Sequence, residues 1–255
     1  MVEKRMLAWV ISMLLAFTVL SCAASLEKRK QQSRVTRELG EAYMREGNYT
    51  NALKEFIKAE EIYPNDHLLQ NDLGLVYMAK QRFQKAKEHF NRAIEVKPEY
   101  AAAKNNLGTV YLATEDWDAA IDVFEEVLGD ILYATPHYPL SNLGLAYYNK
   151  GAYRRAESYY SKALEIKPNF ALALRGIGKT YLALSDNAAA ISSFEKAIQQ
   201  APNFTELYLD VGNAYEQSQQ YKKALFSYRK VLELAPDTLL AKKAEKNINR
   251  IKGLK

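Results

Sequence analysis

Along most of the chain, small and apolar residues recur at helical offsets inside a longer period. The pairs Leu39-Gly40, Leu73-Gly74, Leu107-Gly108, Leu143-Gly144, Ile177-Gly178 and Val211-Gly212 follow one another at spacings of 34, 34, 36, 34 and 34 residues. Three residues after each glycine stands a tyrosine: Tyr43, Tyr77, Tyr111, Tyr147, Tyr181 and Tyr215. Twelve after it stands an alanine: Ala52, Ala86, Ala120, Ala156, Ala190 and Ala224. Phe56, Phe90, Phe124, Tyr160, Phe194 and Tyr228 come four residues later, and Ala59, Ala93, Val127, Ala163, Ala197 and Val231 three beyond those. The first set shares one helix face and the second set another, so each unit predicts a helical hairpin. Glycine and alanine at the contact let the two backbones approach, while the aromatic fills the groove. Pro64, Pro98, Pro168, Pro202 and Pro236 close five units, with Pro136 displaced in the third, because proline lacks a donor and restricts the residue before it. One hairpin cannot bury both faces, so six must stack, with a cap at the end. Residues 239–255 supply that cap: Leu240, Ala244, Ile248 and Ile251 form one face, and Lys242, Lys243, Lys246, Arg250 and Lys252 cover the other.

The chain before the repeats has a different character. Met1 to Arg5 is a short charged leader, and Met6 to Leu20 is an apolar run. As one helix those residues reach only ~22 Å, short of a ~30 Å hydrocarbon core, which reads as an export signal. An uncleaved anchor is the alternative, since no charge follows until Glu27. The only cysteine, Cys22, stands directly after Val19-Leu20-Ser21. This resembles a bacterial lipobox, and the resemblance implies cleavage before Cys22 and a covalent lipid on it, with each buried methylene contributing ~0.8 kcal/mol to anchoring. Ala23 and Ala24 follow where many inner-membrane lipoproteins carry Asp, which implies the outer membrane facing the periplasm, with the inner membrane as the alternative. Residues 22–32 lack apolar periodicity and are expected to form a polar spacer.

Composition narrows the chemistry. At 48% apolar and 25% charged, the chain can build a sizeable core. One cysteine excludes a disulfide framework and a cysteine zinc site. The formal charge of +5 is concentrated at the two ends, leaving the body near neutral, whereas a nucleic-acid footprint needs a basic stripe over the fold. His67, His89 and His137 fall in different units without ligand spacing, and neither a Ser-His-acid set nor a phosphate loop is present. No catalytic residue, metal or cofactor is expected, apart from the lipid on Cys22. Many of the 18 tyrosines occupy packing positions.

The repeated Leu-Gly, Tyr, Ala, Phe/Tyr, Ala and Pro positions resemble the tetratricopeptide (TPR) signature across residues 33–238. The tryptophan common early in that signature is replaced by Thr36, Gln70, Lys104, Leu140, Leu174 and Tyr208. The resemblance implies an all-α, right-handed superhelical solenoid of six hairpins (33–66, 67–100, 101–136, 137–170, 171–204 and 205–238) plus the capping helix 239–255. It follows the signal segment 1–21 and the lipidated spacer 22–32. In such a stack the first helix of each hairpin lines the concave face at positions one and four after the glycine. That singles out Met44, Leu75, Met78, Leu112, Leu145, Tyr148 and Leu182, with Asn71 and Asn105 beside them for a bound peptide's backbone. In repeat six the same positions are Asn213 and Glu216, so the face turns polar. The lysines of a carboxylate clamp are missing.

Repeat three is two residues longer and contains Leu132, Tyr133 and Pro136, followed by Asn142-Leu143-Gly144-Leu145. With the lipobox, this insert resembles the pilotins of type IV pilus systems, the PilF, PilW and Tgl group. For that group the implied role is helping an outer-membrane secretin subunit reach its membrane and assemble. A tolerated insertion at a hairpin turn is the plainer reading of the same segment. A periplasmic scaffold recruiting cell-envelope enzymes is the alternative function, and the sequence assigns no oligomeric state.

Overall fold

The structure is a computed structural model that describes the backbone of residues 2–130 and 134–253, with side chains from Ala24 onward. Among the described residues the chain forms thirteen helices and no strand. They are α1 (Val2–Arg45), α2 (Tyr49–Ile62), α3 (His67–Ala79), α4 (Phe83–Val96), α5 (Ala101–Ala113), α6 (Trp117–Leu128) and α7 (His137–Asn149). The rest are α8 (Tyr153–Ile166), α9 (Ala171–Ala183), α10 (Asn187–Gln200), α11 (Thr205–Gln217), α12 (Tyr221–Leu234) and α13 (Leu239–Lys252). The chain divides into two compact units, residues 1–110 and 111–255, with the division inside α5.

The helix ends have local causes. Each first helix stops at a residue in the left-handed region: Gly47, Gln81, Glu115, Gly151, Ser185 and Gln219 have φ between 56° and 75°. At each stop two backbone bonds reach back into the last turn, as when Gly47 N–H donates to Met44 and Asn48 N–H to Tyr43. Those bonds satisfy carbonyls that the ending helix leaves free. Second helices end on Tyr63, Lys97, Lys167, Ala201 and Ala235, each with φ between −148° and −135°. Each stands directly before a proline, whose ring excludes the helical conformation there.

Packing within a hairpin follows the glycine and its aromatic partner. A Cβ added at Gly40, Gly74, Gly144, Gly178 or Gly212 would lie within 2.8 Å of the ring of Phe56, Phe90, Tyr160, Phe194 or Tyr228 respectively. All five rings are buried. In unit 1 the core joins Ala52, Phe56 and Ala59 to Leu69, Leu73 and Val76 of the next hairpin. In unit 2 it runs through Phe124, Leu143, Tyr160 and Ile177, then Phe194, Val211, Tyr228 and the cap residues Ala244, Ile248 and Ile251. Leu39 differs from its equivalents: it is 47% exposed, whereas Leu73, Leu107, Leu143, Ile177 and Val211 are buried. Leu73, Leu143, Ile177 and Val211 share core clusters with second-helix residues of the hairpin before them.

The expected spacer is corrected over 24–32, where α1 is continuous with the first hairpin. Arg29 donates through Nε and Nη2 to the carbonyl of Ile62, at 2.9 and 2.6 Å, and the buried Ser33 donates to Ala59. Arg29 satisfies the Ile62 carbonyl, which the ending helix leaves free, and Ser33 adds a second bond to the Ala59 carbonyl beside that from Tyr63 N–H, so the helix is held without the apolar stripe that the sequence lacks. Cys22 and the rest of the signal lie outside the residues whose side chains are described, as do Leu132 and Tyr133. Among the described residues no helix is long and apolar enough to cross a membrane.

Candidate partner-binding face

Neighbouring first helices touch one another. In unit 1 α1 meets α3, and in unit 2 α7 meets α9, α9 meets α11 and α11 meets the cap helix α13, whereas α8, α10 and α12 make no such mutual contacts. The first helices therefore form the more tightly drawn face of each unit. Along it, a polar side chain three residues before one signature glycine bonds a side chain two residues before the next. In unit 1 these rungs are Arg37 with Asp72 at 3.3 Å and Asn106 donating to Asn71 at 2.9 Å. In unit 2 Arg175 pairs with Asp210 at 2.6 Å.

One rung in unit 2 is missing. The residues at its two ends are Ser141 and Gly176, and Gly176 has no side chain to offer. A cleft of about 180 Å³ opens there between α7 and α9. The buried Tyr160 ring forms its floor, and Leu145, Tyr148, Phe170 and Leu172 form much of its wall. Tyr138 stands edge-on to Phe170, with ring centroids 5.3 Å apart. Leu145, Leu172 and Tyr138 are 38%, 53% and 42% exposed, so the mouth is apolar and open to solvent. Lys179 lies at the rim with its ammonium 4.9 Å from the Tyr148 ring centroid. Burial pushes the phenols of Tyr148 and Tyr160 above their ordinary range, so both rings stay neutral.

Further along this face α11 is tied to the cap. Glu216 accepts two bonds from Arg250, each 2.8 Å, Asn213 accepts from Asn247, and the one Tyr228 hydroxyl proton is shared between Asn213 Oδ1 and Glu216 Oε2, each 2.8 Å from the hydroxyl oxygen. Bonds to Arg250, then to Tyr228, hold the Glu216 carboxyl below its usual range against the opposing effect of burial. The polar character of repeat six thus serves attachment of the cap. Beside it Lys243 and Lys246 border a cleft of about 320 Å³ with Leu209 and Asn213.

The sequence-predicted residues divide accordingly. Leu145 and Tyr148 meet at the cleft, and Leu182 borders the next one, beside Asn213 and Arg250, while packing against the core. Met44, Leu75, Met78 and Asn105 lie partly exposed in unit 1. Asn105 Oδ1 is buried and unbonded. Leu112 is corrected: it is only 9% exposed and belongs to the core of unit 2, because the turn after α5 brings it against α6 and α7 residues. Asn71 is corrected as well, since it is buried and committed to Asn106. Pro136 caps the start of α7, where its carbonyl accepts from Leu140. Sequence reasoning missed Tyr138, Phe170, Leu172, Arg175 and Gly176. The signal for Gly176 was present: two residues before the signature glycine the other repeats carry Glu38, Asp72, Asn106, Asn142 and Asp210.

Unit 1 holds two buried polar groups of another kind. Gln70 donates to Glu60 and to the Pro64 carbonyl, which leaves its oxygen to accept from His89 Nδ1 at 2.7 Å. Burial lowers the His89 pKa, so the imidazole is neutral. Asp72 faces Arg37, but that guanidinium is shared with Glu41 and Asp66, and burial pushes Asp72 up to about 7. Both groups act structurally, and among the described residues no group of three or more His, Cys, Asp or Glu could hold a metal.

Tetratricopeptide repeat models match residues 31–99, 71–139, 138–170 and 181–246. A search of curated proteins gives no match. Among solved structures, the chain is similar to PilW, described as a widely conserved type IV pilus biogenesis factor. The TM-score is 0.77 at 21% identity, over 84% of this chain and 98% of that one. It is also similar to PilF of Pseudomonas aeruginosa, with a TM-score of 0.73 at 19% identity, over 86% and 99% of the two chains. YrrB, described as a TPR protein with an unusual peptide-binding site, aligns with a TM-score of 0.53 at 24% identity, over 75% and 97%. At these identities the likeness is one of fold.

Proposed function

This chain belongs to the tetratricopeptide repeat family, and from that premise we propose that it is a non-catalytic lipoprotein of the pilotin type, which holds a secretin subunit at the periplasmic face of the outer membrane. The family's general work is to bind other proteins. The observation that carries the reading is the open apolar cleft at Gly176, on the face where first helices meet. Support for the pilus system comes from the lipobox-like Leu20-Ser21-Cys22 and from the shared fold of PilW and PilF, which both align over nearly their whole length.

The mechanism is concentration by tethering. A lipid on Cys22 and a secretin segment in the cleft would confine both partners to one surface, and that raises their effective concentration without any further contact. The test is Cys22→Ala in the native host. The variant is expected to fold but to leave the outer-membrane fraction, and secretin multimers should decline. Firm retention in that fraction would reject the lipid anchor. Normal multimers in a full deletion would instead favour the envelope-scaffold reading.

A further inference from the structure

Unit 2 carries two features on one face that together define a ligand. The first is the cleft at Gly176. An enclosed apolar cavity of about 150 Å³ takes a benzene molecule, so a cleft of about 180 Å³ has room for one aromatic ring. Its surroundings suit a ring: Tyr138 and Phe170 present edges and faces, and Tyr160 closes the bottom.

The second feature is unbalanced charge. Arg175 and Arg250 are matched by Asp210 and Glu216. Lys179, Lys243 and Lys246 have no carboxylate within ion-pair distance among the described residues. Lys179 stands at the mouth of the cleft, and the other two stand on α13. Two helix-to-helix steps separate α9 from α13, about 20 Å at 8–10 Å per step. An extended chain covers that in about six residues.

We propose that this face binds an extended segment of a partner protein that places one aromatic side chain in the Gly176 cleft. Carboxylates lie next to that side chain and about six residues away. The aromatic supplies apolar burial, and the carboxylates meet Lys179 first and Lys243 with Lys246 last. Attraction of this kind speeds encounter and selects against basic segments. The inference rests on the reading of this face as partner-binding but not on the pilus assignment.

The test uses the full chain and fluorescein-labelled decapeptides, followed by anisotropy. The parent peptide carries Phe, an adjacent Glu, a Ser/Gly spacer and two Glu six and seven positions on. Replacing Phe by Ala should weaken binding about 10-fold or more, the loss expected for exposing one buried ring. Replacing the three Glu by Lys should weaken it further at low salt. On the protein, Leu145→Glu alters an exposed cleft residue and should abolish the Phe dependence. Lys179→Glu with Lys243→Glu should reverse the preference between the Glu and Lys peptides. Circular dichroism checks that both variants keep their helices. Equal affinity for the Phe and Ala peptides would overturn the cleft assignment, and unchanged charge preference in the double variant would overturn the assignment of the lysines. Absence of binding at millimolar peptide overturns the proposal as a whole. A secretin defect without peptide binding would leave only the pilus reading standing.

Discussion

Gly176→Ala tests whether the Tyr160 ring is wedged between two hairpins. An added Cβ at Gly176 would lie 2.6 Å from the Tyr160 hydroxyl oxygen and closer still to Cζ and Cε1. Carbon atoms in good contact sit ~3.5–4.0 Å apart, so the ring would have to retreat by more than about 1 Å. Its retreat is restricted on the side of its own hairpin, because Gly144 also lies against the ring, where even one added carbon would sit 2.8 Å from Cγ, Cδ1 and Cε1. Overpacking of this sort costs ~1–3 kcal/mol, and a Cβ closer than 2.5 Å to two ring carbons belongs to the upper half of that range. Against it stands the gain of ~1 kcal/mol for alanine over glycine inside a helix. The net loss is ~1–2 kcal/mol, or a fall in Tm of ~2–8 °C for a chain of this size. The control is the same substitution in a Tyr160→Leu background. Leucine lacks the distal ring atoms, so alanine should there stabilise by ~1 kcal/mol, a coupling of ~2–3 kcal/mol between the two positions. Urea titration and calorimetry on the four proteins measure the cycle. A Gly176→Ala protein that melts higher in both backgrounds would refute the wedge, and with it the account of how the cleft arises.

The unit 1 charge cluster should respond to pH. Asp72 titrates near 7 in the fold and near 3.8 when unfolded, so its contribution is full below 3.8 and is lost as pH rises through 7. Asp72→Asn should therefore raise Tm at pH 8 by more than at pH 4, by the equivalent of ~1 kcal/mol or more, provided Arg37 keeps Glu41; a larger loss at pH 8 than at pH 4 contradicts this. Glu216 has the opposite sign: its folded value lies below 4.5, so its contribution is present above 4.5 and is lost as pH falls through the folded value. Protection of α13 amides against hydrogen exchange, taken relative to the intrinsic rate at each pH, should fall on acidification, and Arg250→Gln should produce the same loss of protection at neutral pH at a cost of ~1 kcal/mol or less. Unchanged protection of Ala244 and Ile248 in that variant would show that apolar packing alone holds the cap.

Periodicity alone determined the hairpin plan. The spacing of Gly40, Gly74, Gly144, Gly178 and Gly212 against their aromatic partners is a helix-to-helix contact written in one dimension, and a proline after each second helix marks its end locally. Functional detail was less legible because it depends on neighbours far apart in the chain. Asn71 and Leu112 read as surface residues from their offsets, yet Asn106 and the α7 core claim them. The 24–32 segment shows no apolar stripe because Arg29 and Ser33 hold it through carbonyls some thirty residues away. Gly176 is a single missing side chain in the sequence. It becomes part of an opening only in the tertiary structure, where α7 and α9 lie side by side and the Tyr160 ring packs against the bare Gly176 backbone at the cleft.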